Sequence, residues 1–299
     1  MLRSINEVDW VKFINQSINT SIYHHPVFLN IFQKEVDYRC FFKGDEPIIG
    51  IPLMKGEINI PYRFQCYNGF LYSNRKNTKD QKVITSNFKA LEDYANYFFD
   101  NYKSLTICCD DTLVDTRPFI WHNYPNSSFK IDEFYTSKLL FKNFSKEIIS
   151  ESRRQDIKKS EKLNLKIEET NDINSAVDFF LTTVKTSDYT DDEKIYTLII
   201  NTLLKKKMGK LLCCRLEKKI VSYIFFGTYK NKVYYIFAGS DKNLKNISFH
   251  SLLIYECLKL FKNKYEEFDF VGVNSPLRGS FKLSFGGKLN RCWKLNLKK

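Results

Sequence analysis

The chain has 299 residues, 43% of them hydrophobic and 16% aromatic, which excludes general disorder and leaves room for a sizeable core in two ordinary domains. Its formal charge of +13 favours partners carrying phosphate or carboxylate, and the excess sits on scattered lysines rather than in a tail. No stretch reaches the length of a membrane span and the opening MLRSINEVDW has no apolar signal core, so a cytoplasmic location is the expectation.

Asn6 precedes a short predicted helix with Trp10, Phe13 and Ile14 on one face. His24-His25-Pro26 interrupts it, and Pro26 begins a second helix reaching Phe32. A hairpin follows over 38–43 and 48–53, where Pro52 lacks a ladder donor and predicts an edge, an early end or a bulge. The aromatic stretch 60–72, with Gly69 near its end, suits a cleft wall. Residues 78–102 read as a helix through Phe88, Leu91, Tyr94, Ala95 and Phe98, leading into a strand over 105–109. An extended stretch over 135–141 holds the expected domain boundary, giving domains 1–141 and 142–299.

Ser145 begins the next predicted helix, along which Arg153, Arg154, Lys158, Lys159 and Lys162 lie. A strand over 165–168 and helices over 172–185 and 193–207 precede three strands, 210–215, 220–228 and 232–238, joined by charged reversals. The chain closes with a helix over 248–262, the apolar strand Phe268-Asp269-Phe270-Val271, a basic connection, a strand carrying FKLSFGG, and a last alternating strand. In each half a strand–turn–strand unit precedes a long helix that feeds an apolar strand, so the chain reads as two copies of one α/β unit.

The eight cysteines include the adjacent pairs Cys108-Cys109 and Cys213-Cys214 and no C-x-x-C, which predicts buried free thiols and supplies no metal ligand set. Dinucleotide, Walker, zinc and nucleophile-elbow signatures are absent, which counts against redox, nucleotide-hydrolysis and serine-esterase chemistry.

The helix Arg153-Arg154-Gln155-Asp156-Ile157-Lys158-Lys159-Ser160-Glu161-Lys162-Leu163 resembles the basic helix of the FemAB-like and BioF2-like acyltransferases of the GCN5-related N-acetyltransferase (GNAT) superfamily. The ending Phe268-Asp269-Phe270-Val271-Gly272, Leu277, Phe281-Lys282 and Phe285-Gly286-Gly287 is similar to that family's closing signature. The resemblance implies an α/β (α+β) fold of two tandem GNAT-like domains, each a mixed sheet flanked by helices, with a cleft between them. It implies transfer of an acyl or aminoacyl group to an amine, with acyl-CoA as cosubstrate or aminoacyl-tRNA as donor, and no permanently bound cofactor. Two features depart from the family pattern: no long helical hairpin forms a tRNA-binding arm, and the loop 239–247 has one glycine where the family's pyrophosphate loop is glycine-rich.

Candidate residues follow from both lines of reading. Lys282 offers a point charge for an oxyanion or phosphate, Asp269 a carboxylate inside an apolar strand, and His250 a base in the first turn of the late helix. Arg153, Arg154, Lys158 and Arg278 are candidates for an anionic substrate, joined by His24, Arg63 and Tyr67 along the acceptor side. Lys242, Lys245 and Ser248 stand where a CoA diphosphate would meet a helix N-terminus. Three functions remain open on this basis. One is N-acyl transfer from a thioester to an amino sugar or sugar nucleotide in cell-envelope synthesis; another is aminoacyl-tRNA-dependent transfer to a peptidoglycan precursor. The last is a non-enzymatic basic module for RNA or an anionic surface.

Overall fold

A computed structural model describes residues 1–61, 64–75, 78–184, 192–241, 243–244, 248–297 and 299. The chain falls into two units, Met1–Tyr135 with Arg291–Lys299, and Thr136–Asn290. Division by sequence cut at 141/142 and kept the final strand with the second half.

The first unit runs β1 (Leu2–Ile5), α1 (Glu7–Gln16), α2 (Pro26–Leu29), β2 (Val36–Lys43), β3 (Glu46–Met54), β4 (Ile58–Asn59), β5 (Leu71–Tyr72), α3 (Asp80–Asn101), β6 (Ser104–Cys109), α4 (Arg117–Ile120) and the start of β7 (Phe129–Leu140). Asn6 caps α1 by accepting from Asp9 N at 2.8 Å, and Trp10, Phe13 and Ile14 are buried, as the periodicity predicts. One sheet has the order β1-β2-β3-β5. Pro52 pairs with Tyr38 on one side, while β5 reaches only Ile49 and Gly50 on the other, so its missing donor breaks no second ladder. Helix α3 buries Leu91, Tyr94, Ala95 and Phe98, and they join Ile49, Phe70, Leu105 and Ile107 in one core. Strand β6 pairs parallel with β4 and antiparallel with the last strand, Leu295 facing Ile107, which is why Arg291–Lys299 belongs to this unit.

The second unit continues from β7 through α5 (Glu151–Glu161), β8 (Leu165–Glu169), α6 (Ile173–Val184), α7 (Asp192–Lys205), β9 (Gly209–Leu216), β10 (Lys219–Tyr229), β11 (Lys232–Ser240), α8 (Phe249–Phe261), β12 (Glu267–Gly272) and α9 (Pro276–Leu283) to the start of β13 (Lys288–Leu297). Its strands lie in the order β7-β12-β11-β10-β9-β8, mixed because only β11 and β12 run parallel. The continuous apolar runs of β9 and β10 and the apolar face of α8 meet in a core around Val221, Ile224, Phe226, Leu253, Cys257 and Phe268. Each unit is therefore a mixed α+β layer with a hairpin, a long helix and a following apolar strand in the same order.

One expectation fails clearly. FKLSFGG is not a strand: Pro276 sits in the first turn of α9, which runs to Leu283 with Ser284 as C-cap. Phe281 and Phe285 are one helical turn apart, and their rings pack edge to face at 5.4 Å. Gly286 then adopts φ +85°, where a Cβ would lie 2.8 Å from Ile148 O, so the chain turns there only as glycine.

Candidate active site

The second unit builds a site where its parallel strands part. The β11–β12 ladder holds three residue pairs and ends at Tyr234 and Asp269, although β11 continues to Ser240. Beyond it the register against β10 slips at Ile236, because Phe225 faces Phe237 while Phe226 faces Tyr235. Parting and bulge together aim Tyr235 at α8. Strand ends that split in this way are where open α/β sheets place ligands.

Tyr235 donates its hydroxyl to His250 Nε2 at 2.9 Å, and His250 Nδ1–H donates to Ser222 Oγ at 3.0 Å. That tautomer follows because the Ser222 hydroxyl hydrogen goes to Gly239 O at 2.9 Å. Burial, then the nearby Arg153 and Lys282 cations, push His250 down to about 3. Both ring nitrogens of His250 are thus engaged, and burial with the two cations favours its neutral form. Burial also raises the Tyr235 phenol.

Lys282 approaches from α9. Its Nζ donates to Phe270 O at 2.7 Å and Gly272 O at 3.0 Å, carbonyls past the end of the β11–β12 ladder, and lies 4.7 Å from the Tyr235 ring centroid. The half-buried ammonium stands at the parting of the strands, held by helix geometry rather than by strand alternation. Asp269 is buried at 1% exposure and its Oδ1 accepts from Val271 N at 2.7 Å, across a backbone turn in which Val271 has φ +52°. That carboxylate holds the strand end in shape, the role a turn cap has.

Arg153 is the member of the basic helix that turns inward. It is 16% exposed and donates from Nε to Ser284 Oγ at 3.0 Å and from one terminal nitrogen to Ser251 Oγ at 2.9 Å and Asp156 at 2.7 Å. Its guanidinium lies 4.4 Å from the Phe281 centroid, and Phe281 stacks on His250 at 5.7 Å. Arg154 is half-buried and Lys158 exposed, so these two do not join the cluster. Arg278 is exposed on α9, close enough that its charge opposes the rise of the Tyr235 phenol. Ser248 N-caps α8 and its hydroxyl meets that of Ser251. Lys242, Lys245 and Arg63 lie outside the described residues.

The acceptor-side candidates of the first unit are packed away. His24 is 2% exposed, accepts from Ser21 Oγ at 2.7 Å on Nδ1 and donates from Nε2 to Gly69 O at 3.1 Å. Burial holds it down to about 4, and both ring nitrogens are engaged within the fold. Tyr67 is 3% exposed and lies edge-on to Tyr23. A cavity of about 320 Å³ lined by Asp37, Arg39, Lys55, Tyr97 and Tyr102 carries its own pairing, Arg39 and Ser4 both donating to Asp37. Sequence reasoning missed Tyr235, Ser222, Ser251 and Ser284. Among the described residues no helix is long and apolar enough to cross a membrane, and no group of three metal-ligating side chains forms.

Residues 151–282 match the family described as Acetyltransferase (GNAT) domain. The chain is similar in structure to FemX, at TM-score 0.68 and 12% identity over 98% of this chain and 96% of that one. It is also similar to the C-terminal domain of a putative lysylphosphatidylglycerol synthetase from Agrobacterium fabrum, at 0.60 and 10% over 98% and 93%. A third likeness is to a tandem GNAT protein from the clavulanic acid biosynthesis pathway, at 0.54 and 8% over 99% and 97%. No curated protein matches the sequence. At such identities the likeness is one of fold.

Proposed function

We propose that the chain transfers an aminoacyl group from an ester donor of the aminoacyl-tRNA kind to a primary amine, with a peptidoglycan precursor as the acceptor class. The likeness to FemX supports this reading over a thioester donor. The observation that carries it lies in the turn between β11 and α8. There Asp241 accepts from Asn243 N at 2.9 Å on one oxygen and from Lys219 at 2.6 Å on the other. A carboxylate therefore occupies a backbone amide three residues past the end of β11, in the stretch where a CoA diphosphate would need amide donors and no competing negative charge. Gly239 lies within β11, pressed against α6, where a Cβ would lie 2.4 Å from Phe179 O, and gives no open cradle.

The chemistry asked of the protein is modest. A neutral amine attacks the ester carbonyl; the C–N bond forms, the C–O bond breaks, and the proton the amine loses matches the one the leaving hydroxylate gains. Lys282 supplies positive charge for the oxyanion, worth about 3–4 kcal/mol where such a donor acts in a site shielded from water. Alignment of amine and ester supplies the rest. Titration of the protein with CoA, acetyl-CoA and charged tRNA tests the donor class. Saturable binding of tRNA without binding of CoA is expected; saturable micromolar CoA binding with none for tRNA restores the thioester reading.

A further inference from the structure

The sequence carries two separated motifs, the Arg153 helix and the FKLSFGG segment, and the structure brings them into contact at one guanidinium. Arg153 Nε reaches Ser284 at the C-cap of α9, and its terminal nitrogen reaches Ser251 on α8. Ser150 N, just ahead of α5, donates to Ser284 O at 2.9 Å, so the same corner is tied by backbone as well. Ser284 Oγ in turn donates to Phe281 O at 2.6 Å. Over this network lies a stack of guanidinium, Phe281 ring and His250 ring, and His250 takes the Tyr235 hydroxyl. Tyr235 is the ring beneath the Lys282 ammonium. The loop of contacts closes on itself, because Phe281 and Lys282 are neighbours on α9.

We propose that Arg153 is a positioning residue for Lys282. Its planar fork fixes the carboxyl end of α9 against α8, and α9 then delivers the ammonium to Phe270 O and Gly272 O. A lysine in its place would keep the charge but not the fork, since one ammonium cannot span two serines and a carboxylate in a plane while lying flat on Phe281. The buried setting suits arginine for a further reason: burial lowers the Arg153 pKa, yet a guanidinium stays charged where an amine would lose its proton. The helix itself is too short to hold its place alone. Eight residues with no side-chain cap at Ser275 need an external tie.

The proposal rests on the reading of Lys282 given above only for its kinetic part, so two measurements are paired. The first is independent of activity: reaction of Lys282 with an amine-acylating reagent, followed by peptide mass spectrometry, in wild type, Arg153→Lys, Arg153→Ala and Ser284→Ala. With its two carbonyl bonds intact Lys282 reacts slowly; in Arg153→Ala and Arg153→Lys its rate should rise about tenfold or more while exposed lysines such as Lys158 keep theirs. Ser284→Ala, which removes one arm of the fork, should fall between. The second is the kcat and KM for transfer, where kcat should fall with KM nearly unchanged and guanidinium ion should partly rescue Arg153→Ala but not Arg153→Lys. Should the alanine variant not fold, Ser284→Ala and Arg153→Lys carry the test. Unchanged Lys282 labelling in folded Arg153→Lys and Ser284→Ala variants overturns the positioning role, whatever reaction the protein performs. Faster labelling without transfer activity in wild type would instead sustain the positioning role and remove the proposed reaction.

Discussion

Replacing Lys282 by alanine should destabilise the second unit well beyond what an exposed lysine allows. Read as a strand residue facing solvent, Lys282 would tolerate the change within about 0.5 kcal/mol. The structure instead gives Nζ two backbone acceptors, Phe270 O at 2.7 Å and Gly272 O at 3.0 Å, and a ring face at 4.7 Å. Hydrogen bonds to a charged group contribute about 1.5–3 kcal/mol net, and water can re-solvate carbonyls at a half-buried site, so the pair together is worth about 1.5–2 kcal/mol. The cation–ring contact adds about 0.5–1 kcal/mol. The sum, about 2–3 kcal/mol, should appear as a lower urea midpoint with an unchanged slope. Lys282→Met, which keeps the aliphatic stem, should recover little of it. A loss below about 0.5 kcal/mol in both variants would show that these carbonyl contacts do not hold the ammonium, and the site geometry built on them would fall.

Acid should weaken both units. His250 and His24 are held near 3 and 4 when folded, below the ordinary histidine value of 6.5, so the unfolded chain binds protons first as pH falls. Stability is thus full above pH 6.5 and is lost toward pH 3–4, with each histidine contributing a slope of at most about 1.4 kcal/mol per pH unit. Neither ring should titrate by NMR between pH 8 and 5; a midpoint near 6.5 for His250 would show it solvated. Gly286→Ala should cost more than about 1 kcal/mol, since it forces a side chain into a left-handed backbone against Ile148, and a melting curve within a degree of wild type would refute that turn.

Much of the fold is legible because each element carries its own period. The strands β9, β10 and β11 are apolar runs punctuated by Glu217-Lys218 and Lys230-Asn231, where the backbone takes positive φ at Glu217 and Lys230. FKLSFGG misled because apolar residues at 281, 283 and 285 satisfy a period of two, while Phe281 and Phe285 equally satisfy a helical turn. Pro276 at a helix start was the cue that separates them. The site is less legible. Arg153 and Arg154 differ by about 100° around one helix, and only the position of α9 and α8 decides which turns inward. Tyr235 could not be found by alternation, because the bulge at Ile236 resets the faces of β11. His24 attracted attention as half of a histidine pair, yet its environment, a buried serine and a carbonyl, is set by residues 21 and 69.

The proposed reaction joins an aminoacyl ester to an amine. The most direct measurement incubates the protein with aminoacyl-tRNA labelled on the amino acid and a peptidoglycan precursor bearing a free amine, and reads the acceptor by mass spectrometry. The expected product is an acceptor heavier by one amino-acid residue, formed as an amide stable to mild base and dependent on Lys282. An unmodified acceptor, with the amide forming only when acyl-CoA replaces the charged tRNA, would contradict it.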